Sequence, residues 1–334
     1  MTNPASAVQR GITRLEQIQE PVAERLDEVM DEIQRIVVSD FEMIEEVSEY
    51  LLKVRGKLFR PTLLLLANQV GSTPAPQGVT LAAVVELVHL ATLVHDDAVD
   101  HSVLRRGMPT VNALWTHQIA IIMGDYLYSR SVTELARLGN LEAVRVLADA
   151  ANEMSVGEMR QLLSYDALDF SEADYYRLIA AKTASLMSAA CEMGALVGAP
   201  EYRQQLREYG HNLGMAFQIA DDLLDYTGTE DVTGKPAGLD LRERKVTLPL
   251  VGAMRVMSGS ETEEVRRLFT LVEPTDEDVE GVVAIVKANG GLDYARSKAL
   301  AYAAAAEEAL APLPAGGPAR SLSDAIGYAV DRSR

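Results

Sequence analysis

The chain has 334 residues, 48% of them apolar and 24% charged, enough to bury a large core in one helical domain. Asp and Glu number 49 against 31 Lys and Arg, a net charge of −18, which makes nucleic acid and anionic membrane surfaces poor partners for the molecule as a whole. Its single cysteine, Cys191, has no mate within the chain, as a reducing cytoplasm would suggest.

Along the chain, Met1 to Arg14 lacks the apolar core of a signal peptide. The longest apolar stretches, 61–67 and 81–95, are short or interrupted by Glu86 and His89. The expectation is a cytoplasmic protein with no transmembrane segment. Apolar residues recur at three and four positions almost throughout, and no stretch sustains the alternation that half-buried strands require. The expected fold class is all-α, one domain over residues 1–334 with roughly ten to thirteen helices. Breaks are expected at 71–78, 107–109, 198–200, 258–260, 289–291 and 312–318, where Gly, Pro and Ser cluster. Ser171-Glu172-Ala173-Asp174 reads as a capping box, and Thr275 before Asp276-Glu277-Asp278 as a second helix start.

Two copies of one acidic pattern close apolar helical stretches: Asp96-Asp97-Ala98-Val99-Asp100 and Asp221-Asp222-Leu223-Leu224-Asp225. Positions i, i+1 and i+4 project to one side of a helix, so each copy is expected to converge three carboxylates on one spot. The negative end of the helix dipole makes that placement costlier, unless a cation fills the spot. Oxygen ligands without Cys or clustered His favour Mg²⁺, which keeps waters and completes its shell with phosphate oxygens. A lone motif could be a solvated helix end. Here the preceding runs (Leu87, Val88, Leu90, Leu93, Val94 and Leu213, Met215, Phe217, Ile219) are too apolar for free surface helices, so the acids should line a cavity. A diphosphate between two such clusters is the natural occupant.

Each motif is followed by a basic loop, 101–110 with Arg105 and Arg106, and 234–245 with Lys235, Arg242, Arg244 and Lys245. Solvated surface charge would account for either loop alone. Beside two acidic clusters, the planar forks of Arg and the compact charge of Lys are what a diphosphate needs.

Further blocks complete the pattern: Gly56-Lys57-Leu58-Phe59-Arg60-Pro61, Glu86-Leu87-Val88-His89, Leu104-Arg105-Arg106-Gly107, Gly124-Asp125-Tyr126-Leu127, Gly157-Glu158-Met159-Arg160-Gln161-Leu162, Lys182-Thr183-Ala184 and Phe217-Gln218-Ile219-Ala220. In this order, over about residues 50–250, the chain resembles the trans-type isoprenyl diphosphate synthases, especially the bacterial polyprenyl diphosphate synthases. The resemblance implies a single large helical bundle of the isoprenoid synthase type with a central elongated cavity. It also implies head-to-tail condensation of isopentenyl diphosphate with an allylic diphosphate, by ionisation, attack and proton loss.

Mg²⁺, three ions with substrate bound, would be held by Asp96, Asp97, Asp100 and Asp221, with Asp222 and Asp225 in direct or water-mediated support. Arg105, Lys182, Lys235 and Lys245 match the positions that hold the allylic diphosphate; Lys182, Thr183 and Gln218 would face the allylic cation. Lys57, Arg60, His89 and Arg106 match the isopentenyl diphosphate pocket. The resemblance further implies a homodimer, with transient membrane contact for product release.

Ala91 lies five residues before Asp96, about 7.5 Å down the same helix, on the side where the allylic tail should descend. With Thr92 beside it, no aromatic floor blocks the channel, and Leu147 or Met154 would form a deeper wall. A product of six or more isoprene units, of the kind serving quinone side chains, is expected over a geranylgeranyl or farnesylgeranyl product. A terpene cyclase usually replaces the second motif, and a non-catalytic partner subunit loses acidic motifs or basic loops. This chain keeps both.

Overall fold

The structure is a computed structural model and describes residues 15–53, 56–71, 74–162, 169–227 and 238–331. Its helices are α1 (Leu15–Gln19), α2 (Ala23–Val37), α3 (Glu42–Lys53), α4 (Phe59–Asn68), α5 (Gln77–Val99), α6 (Val111–Leu114), α7 (His117–Leu138), α8 (Leu141–Leu162) and α9 (Glu172–Ile179). After a π-helical turn, Ala180–Ala184, come α10 (Ser185–Gly198), α11 (Arg203–Thr227), α12 (Leu239–Arg242), α13 (Leu248–Met254), α14 (Gly259–Thr270), α15 (Asp276–Ala288), α16 (Gly291–Leu310) and α17 (Gly317–Val330). The fold is all-α, as the spacing predicts, and thirteen of these described helices have eight or more residues.

One hairpin departs from the plain pattern: β1 (Leu104–Arg105) pairs antiparallel with β2 (Met108–Pro109). Its turn residues, Arg106 and Gly107, both have positive φ (52° and 76°), as the tightest hairpin turns demand. That turn fixes the two arginines of the first basic loop beside the end of α5.

Helix α5 is the axis of the bundle. It is apolar on nearly every side, and such a helix must be covered all round. It packs on α2, α4, α7 and α10. By length and composition alone it could cross a membrane, but 56% of its apolar window is buried inside the protein. Helix α11 joins two cores: Leu206, Tyr209 and Leu213 pack into the first, Met215, Ile219, Leu223 and Tyr226 into the second.

Both expected caps form. Ser171 and Asp174 exchange the paired bonds of a capping box at α9, and Thr275 and Asp278 do the same at α15. Ser258 and Glu261 add a third at α14. The π turn is held between two glycines: a Cβ at Gly157 of α8 would lie 2.7 Å from the Ala181 Cβ, and one at Gly214 of α11 would lie 2.5 Å from the Ala184 Cα. Only hydrogen side chains let both helices approach this closely.

Candidate active site

Helices α5 and α11 both end at a cavity of about 500 Å³. Asp96 and Asp97 border it from α5, and Asp221 from α11; Asp100, Asp222 and Asp225 do not. The expected convergence of three carboxylates is not what forms. The middle acid of each motif lies about 100° round the helix from the first, and its carboxylate is taken by protein donors, Asp97 at the edge of the cavity and Asp222 away from it. The Asp97 carboxylate, 6% exposed, accepts from Arg105 Nε at both oxygens, 2.9 Å each. Asp222, equally buried, accepts from the Tyr175 hydroxyl (2.5 Å) and the Gln218 amide (2.8 Å). Asp225 accepts from the backbone N–H groups of Leu239 (3.1 Å) and Asp240 (3.2 Å), anchoring α12.

Among the described residues, no group of three or more His, Cys, Asp or Glu side chains is placed to hold a metal ion by itself. That arrangement suits a cation that takes one or two carboxylates and completes its shell from substrate phosphate and water. The electrostatics point the same way. Burial raises the Asp96 carboxyl to about 6, opposed by Lys182 and reinforced by Glu158 and Asp100. Burial lifts Asp222 to about 7, with Asp221 and Asp225 adding to the rise, and lifts Asp240 to about 8, with Asp222 and Asp225 adding again. Acids this crowded are short of positive charge, and Asp96 and Asp221 border the cavity from two helices where a divalent ion would fit.

Five of the predicted cations border the cavity: Lys57, Arg60, Arg105, Arg106 and Lys182. Lys182 Nζ lies 2.6 Å from Glu158 and 3.9 Å from Asp96. Lys57 Nζ lies 3.2 Å from the Tyr328 hydroxyl of α17. Lys245 pairs with Glu243 (2.6 Å) and does not border the cavity, and Lys235 lies outside the described residues. His89 also faces the cavity, where burial and then Arg60, Arg106 and Arg105 hold its imidazole well below the ordinary value. It is therefore neutral at neutral pH. Burial raises the carboxyl of Glu86, on the turn of α5 before it, against the opposing pull of Arg60 and Arg106.

Thr183 and Gln218 both border the cavity, the Thr183 hydroxyl donating to the Gln218 carbonyl at 2.7 Å. Apolar walls follow from Leu93, Met154, Leu186 and the stacked rings of Phe59 and Phe217, 5.7 Å apart. Ala91, expected at the tail channel, is placed differently from Thr92. It is 2% exposed, part of the packed core, and does not border the cavity, whereas Thr92 does. Five residues before Asp96 is about 140° round the helix, and four residues before is about 40°. Of the two expected deeper wall residues, Met154 borders the cavity and Leu147 is buried away from it.

Sequence reasoning missed Glu86, Glu158, Tyr175, Asp240 and Tyr328. Glu86 and Glu158 stand inside blocks that carry the family resemblance, and Asp240 inside the second basic loop, so an acid beside matched cations was a usable signal. Tyr175 and Tyr328 carried none, since each reaches the site through the fold.

The family model for polyprenyl synthetase matches residues 41–286. The chain is 38% identical over 314 residues to the all-trans-nonaprenyl-diphosphate synthase (geranyl-diphosphate specific) of Rhodobacter capsulatus, covering 93% of this chain and 96% of that one. It is 36% identical over 324 residues to the octaprenyl diphosphate synthase of Escherichia coli (strain K12), covering 96% and 99%. Among solved structures, the polyprenyl synthase of Caulobacter crescentus CB15 complexed with calcium and isoprenyl diphosphate superposes with a TM-score of 0.91 at 34% identity, covering 97% of this chain and all of that one.

Proposed function

The chain belongs to the polyprenyl synthetase family and is a chain-elongating prenyltransferase, and from that premise we propose that its cavity joins isopentenyl diphosphate to an allylic diphosphate to give a long all-trans polyprenyl diphosphate. The observation that carries this reading is a single cavity bordered by Asp96 and Asp221 from two helices and by five cations, continuing into apolar walls. Such a cavity suits a molecule with an anionic head and a hydrocarbon tail.

Arg105 and Lys182 hold the allylic diphosphate, and Lys57, Arg60, Arg106 and neutral His89 hold isopentenyl diphosphate. Mg²⁺ is the proposed metal, three ions with substrate, at Asp96, Asp100 and Asp221; when bound it neutralises charge on the leaving diphosphate. Thr183 and Gln218 line the place where the allylic carbon becomes positive. Thr92 leaves the channel beyond open, and burying each further five-carbon unit favours growth by roughly 3–4 kcal/mol. The protein works in the cytoplasm as a homodimer; exposed apolar residues Ile121, Ile122 and Val132 on α7, with Val156 and Met159 on α8, support the pairing.

The test is to incubate the purified protein with Mg²⁺, isopentenyl diphosphate and separate allylic primers, then size the dephosphorylated products. All-trans chains of six or more units are expected. Chains of four or five units would overturn the product length, and no elongation would overturn the reaction.

A further inference from the structure

Four residues form a directed line of hydrogen bonds from the second core to the cavity wall. The Tyr175 hydroxyl donates to Asp222 Oδ2 at 2.5 Å, and Gln218 Nε2 donates to Asp222 Oδ1 at 2.8 Å. The Thr183 hydroxyl donates to Gln218 Oε1 at 2.7 Å. Thr183 and Gln218 border the cavity; Tyr175, 1% exposed, and Asp222, 6% exposed, do not. The line therefore begins where substrate cannot reach and ends where it sits.

The direction of the line follows from the donor inventory. The Gln218 NH₂ group is the end that faces Asp222, Oδ1 accepting from it while Oδ2 accepts from the Tyr175 hydroxyl. The carbonyl is left facing Thr183. Because the single Thr183 proton is committed to that carbonyl, the hydroxyl offers only lone pairs to the cavity. The Gln218 oxygen keeps a second lone pair as well. A wall of oxygen lone pairs is what a developing carbocation needs, and it acts best when its orientation is set beforehand.

We propose that Tyr175 is a positioning residue for the ionisation step: by holding Asp222, it fixes the Gln218 amide so that the oxygens of Gln218 and Thr183 face the allylic carbon. In that step the C–O bond breaks, its electron pair leaves with the diphosphate oxygen, and the carbon is left with an empty orbital facing those lone pairs. With Oδ2 held by the phenol, Oδ1 stays aimed at Gln218. The ring itself is placed by packing, edge to face with Tyr176 at 5.7 Å, so its position does not depend on the hydroxyl. The π turn contributes by setting Thr183 one residue out of α-helical register, a distortion that recurs at functional sites. The proposal rests on the prenyltransferase reading above.

Tyr175→Phe tests it, because the ring is kept and only the donor is lost. Three quantities are read in wild type and variant: kcat and KM for chain elongation, affinity for an ammonium analogue of the allylic cation with inorganic diphosphate, and affinity for an unreactive thiolodiphosphate primer. The expected result is a fall of about tenfold to a hundredfold in kcat, somewhat less than loss of a direct donor to a charged transition state. An equal loss should appear for the ammonium analogue, with the thiolodiphosphate affinity within about twofold of wild type. Asp222→Asn is the second variant. Its amide can donate to Gln218 and turn that side chain round, so the same selective loss is expected to be larger. Should Tyr175→Phe fail to fold, the Asp222→Asn result on the two ligands decides the matter.

Near-normal kcat in Tyr175→Phe, or equal loss of both ligands, would overturn the proposal, since general distortion does not distinguish a cation from a neutral tail. A wild-type protein that elongates no primer sinks the functional reading instead, and so the two failures are told apart.

Discussion

Arg105 grips Asp97 by both carboxylate oxygens, closing the turn that carries the chain from the end of α5 into the hairpin. The middle acid of the first motif is thus a holder of arginine. Asp97→Asn should weaken binding of the allylic diphosphate and cost roughly 1–3 kcal/mol of stability, a range reduced because the Arg105 side chain is 39% exposed. Urea denaturation checks the stability, and a Mg²⁺ titration of turnover checks the role. A dependence on Mg²⁺ shifted as strongly as in Asp96→Ala would return Asp97 to the metal.

Asp96→Ala and Asp221→Ala should lower kcat by about 10²–10⁴, since charge neutralisation at a leaving diphosphate is worth several kcal/mol. Substrate KM values should move far less, because the lost interaction strengthens mainly as the C–O bond breaks. Steady-state kinetics at saturating Mg²⁺ decide it; near-normal turnover in either variant moves the diphosphate to another wall.

Arg106→Ala should raise the KM for isopentenyl diphosphate selectively, by about tenfold or more for one charge-assisted contact. The primer KM should hold. Equal rises for both substrates would show that one pocket serves both heads.

Thr92→Phe should shorten the product, because its ring would stand in the channel one helical turn below Asp96. Ala91→Phe should instead overpack the core at a cost of about 1–3 kcal/mol, with product length unchanged in the protein that folds. Chromatographic sizing of the products and thermal melting separate the two. Shortening by Ala91→Phe alone would mean that the tail runs on the other side of α5.

His89 makes a pH-dependent contribution to stability. Its folded pKa is depressed by burial and arginine neighbours, so the unfolded chain binds the proton more readily. The contribution is complete above an unfolded value of about 6.5 and is lost as pH falls below it. The raised carboxyls of Asp96, Asp222 and Asp240 act in the opposite sense, so the wild-type profile alone does not isolate the histidine. The difference in urea midpoint between wild type and His89→Gln, followed from pH 7.5 to 5, should narrow toward the acid end. A constant difference would refute the assignment.

Much of this was legible in the sequence, because it is local. Helical class follows from spacing, the caps at Ser171 and Thr275 from four-residue patterns, and the two acidic motifs from their composition. The pairing of Asp97 and Asp222 with protein donors was not, although the 100° step per residue was available. Which of two neighbouring acids faces outward depends on partners, Arg105 and Tyr175, that only the fold supplies. That Thr92 borders the cavity and Ala91 does not was hidden for the same reason, since distance along a helix says nothing of direction around it. Tyr328 could not have been found at all: it stands 271 positions from the lysine it meets.

That last contact also orders events during synthesis. Lys57 leaves the ribosome early, yet its neighbour Tyr328 is not made until 271 residues later, roughly 15–50 s at about 5–20 residues per second. Local helices have ample time to form in that interval, while this wall of the cavity waits for α17 to dock. A nascent chain therefore carries Asp96, Asp97 and the arginines of the hairpin without a closed chamber around them. Competence to enclose a greasy tail arrives as one late event, and a chain stalled before α17 never acquires it.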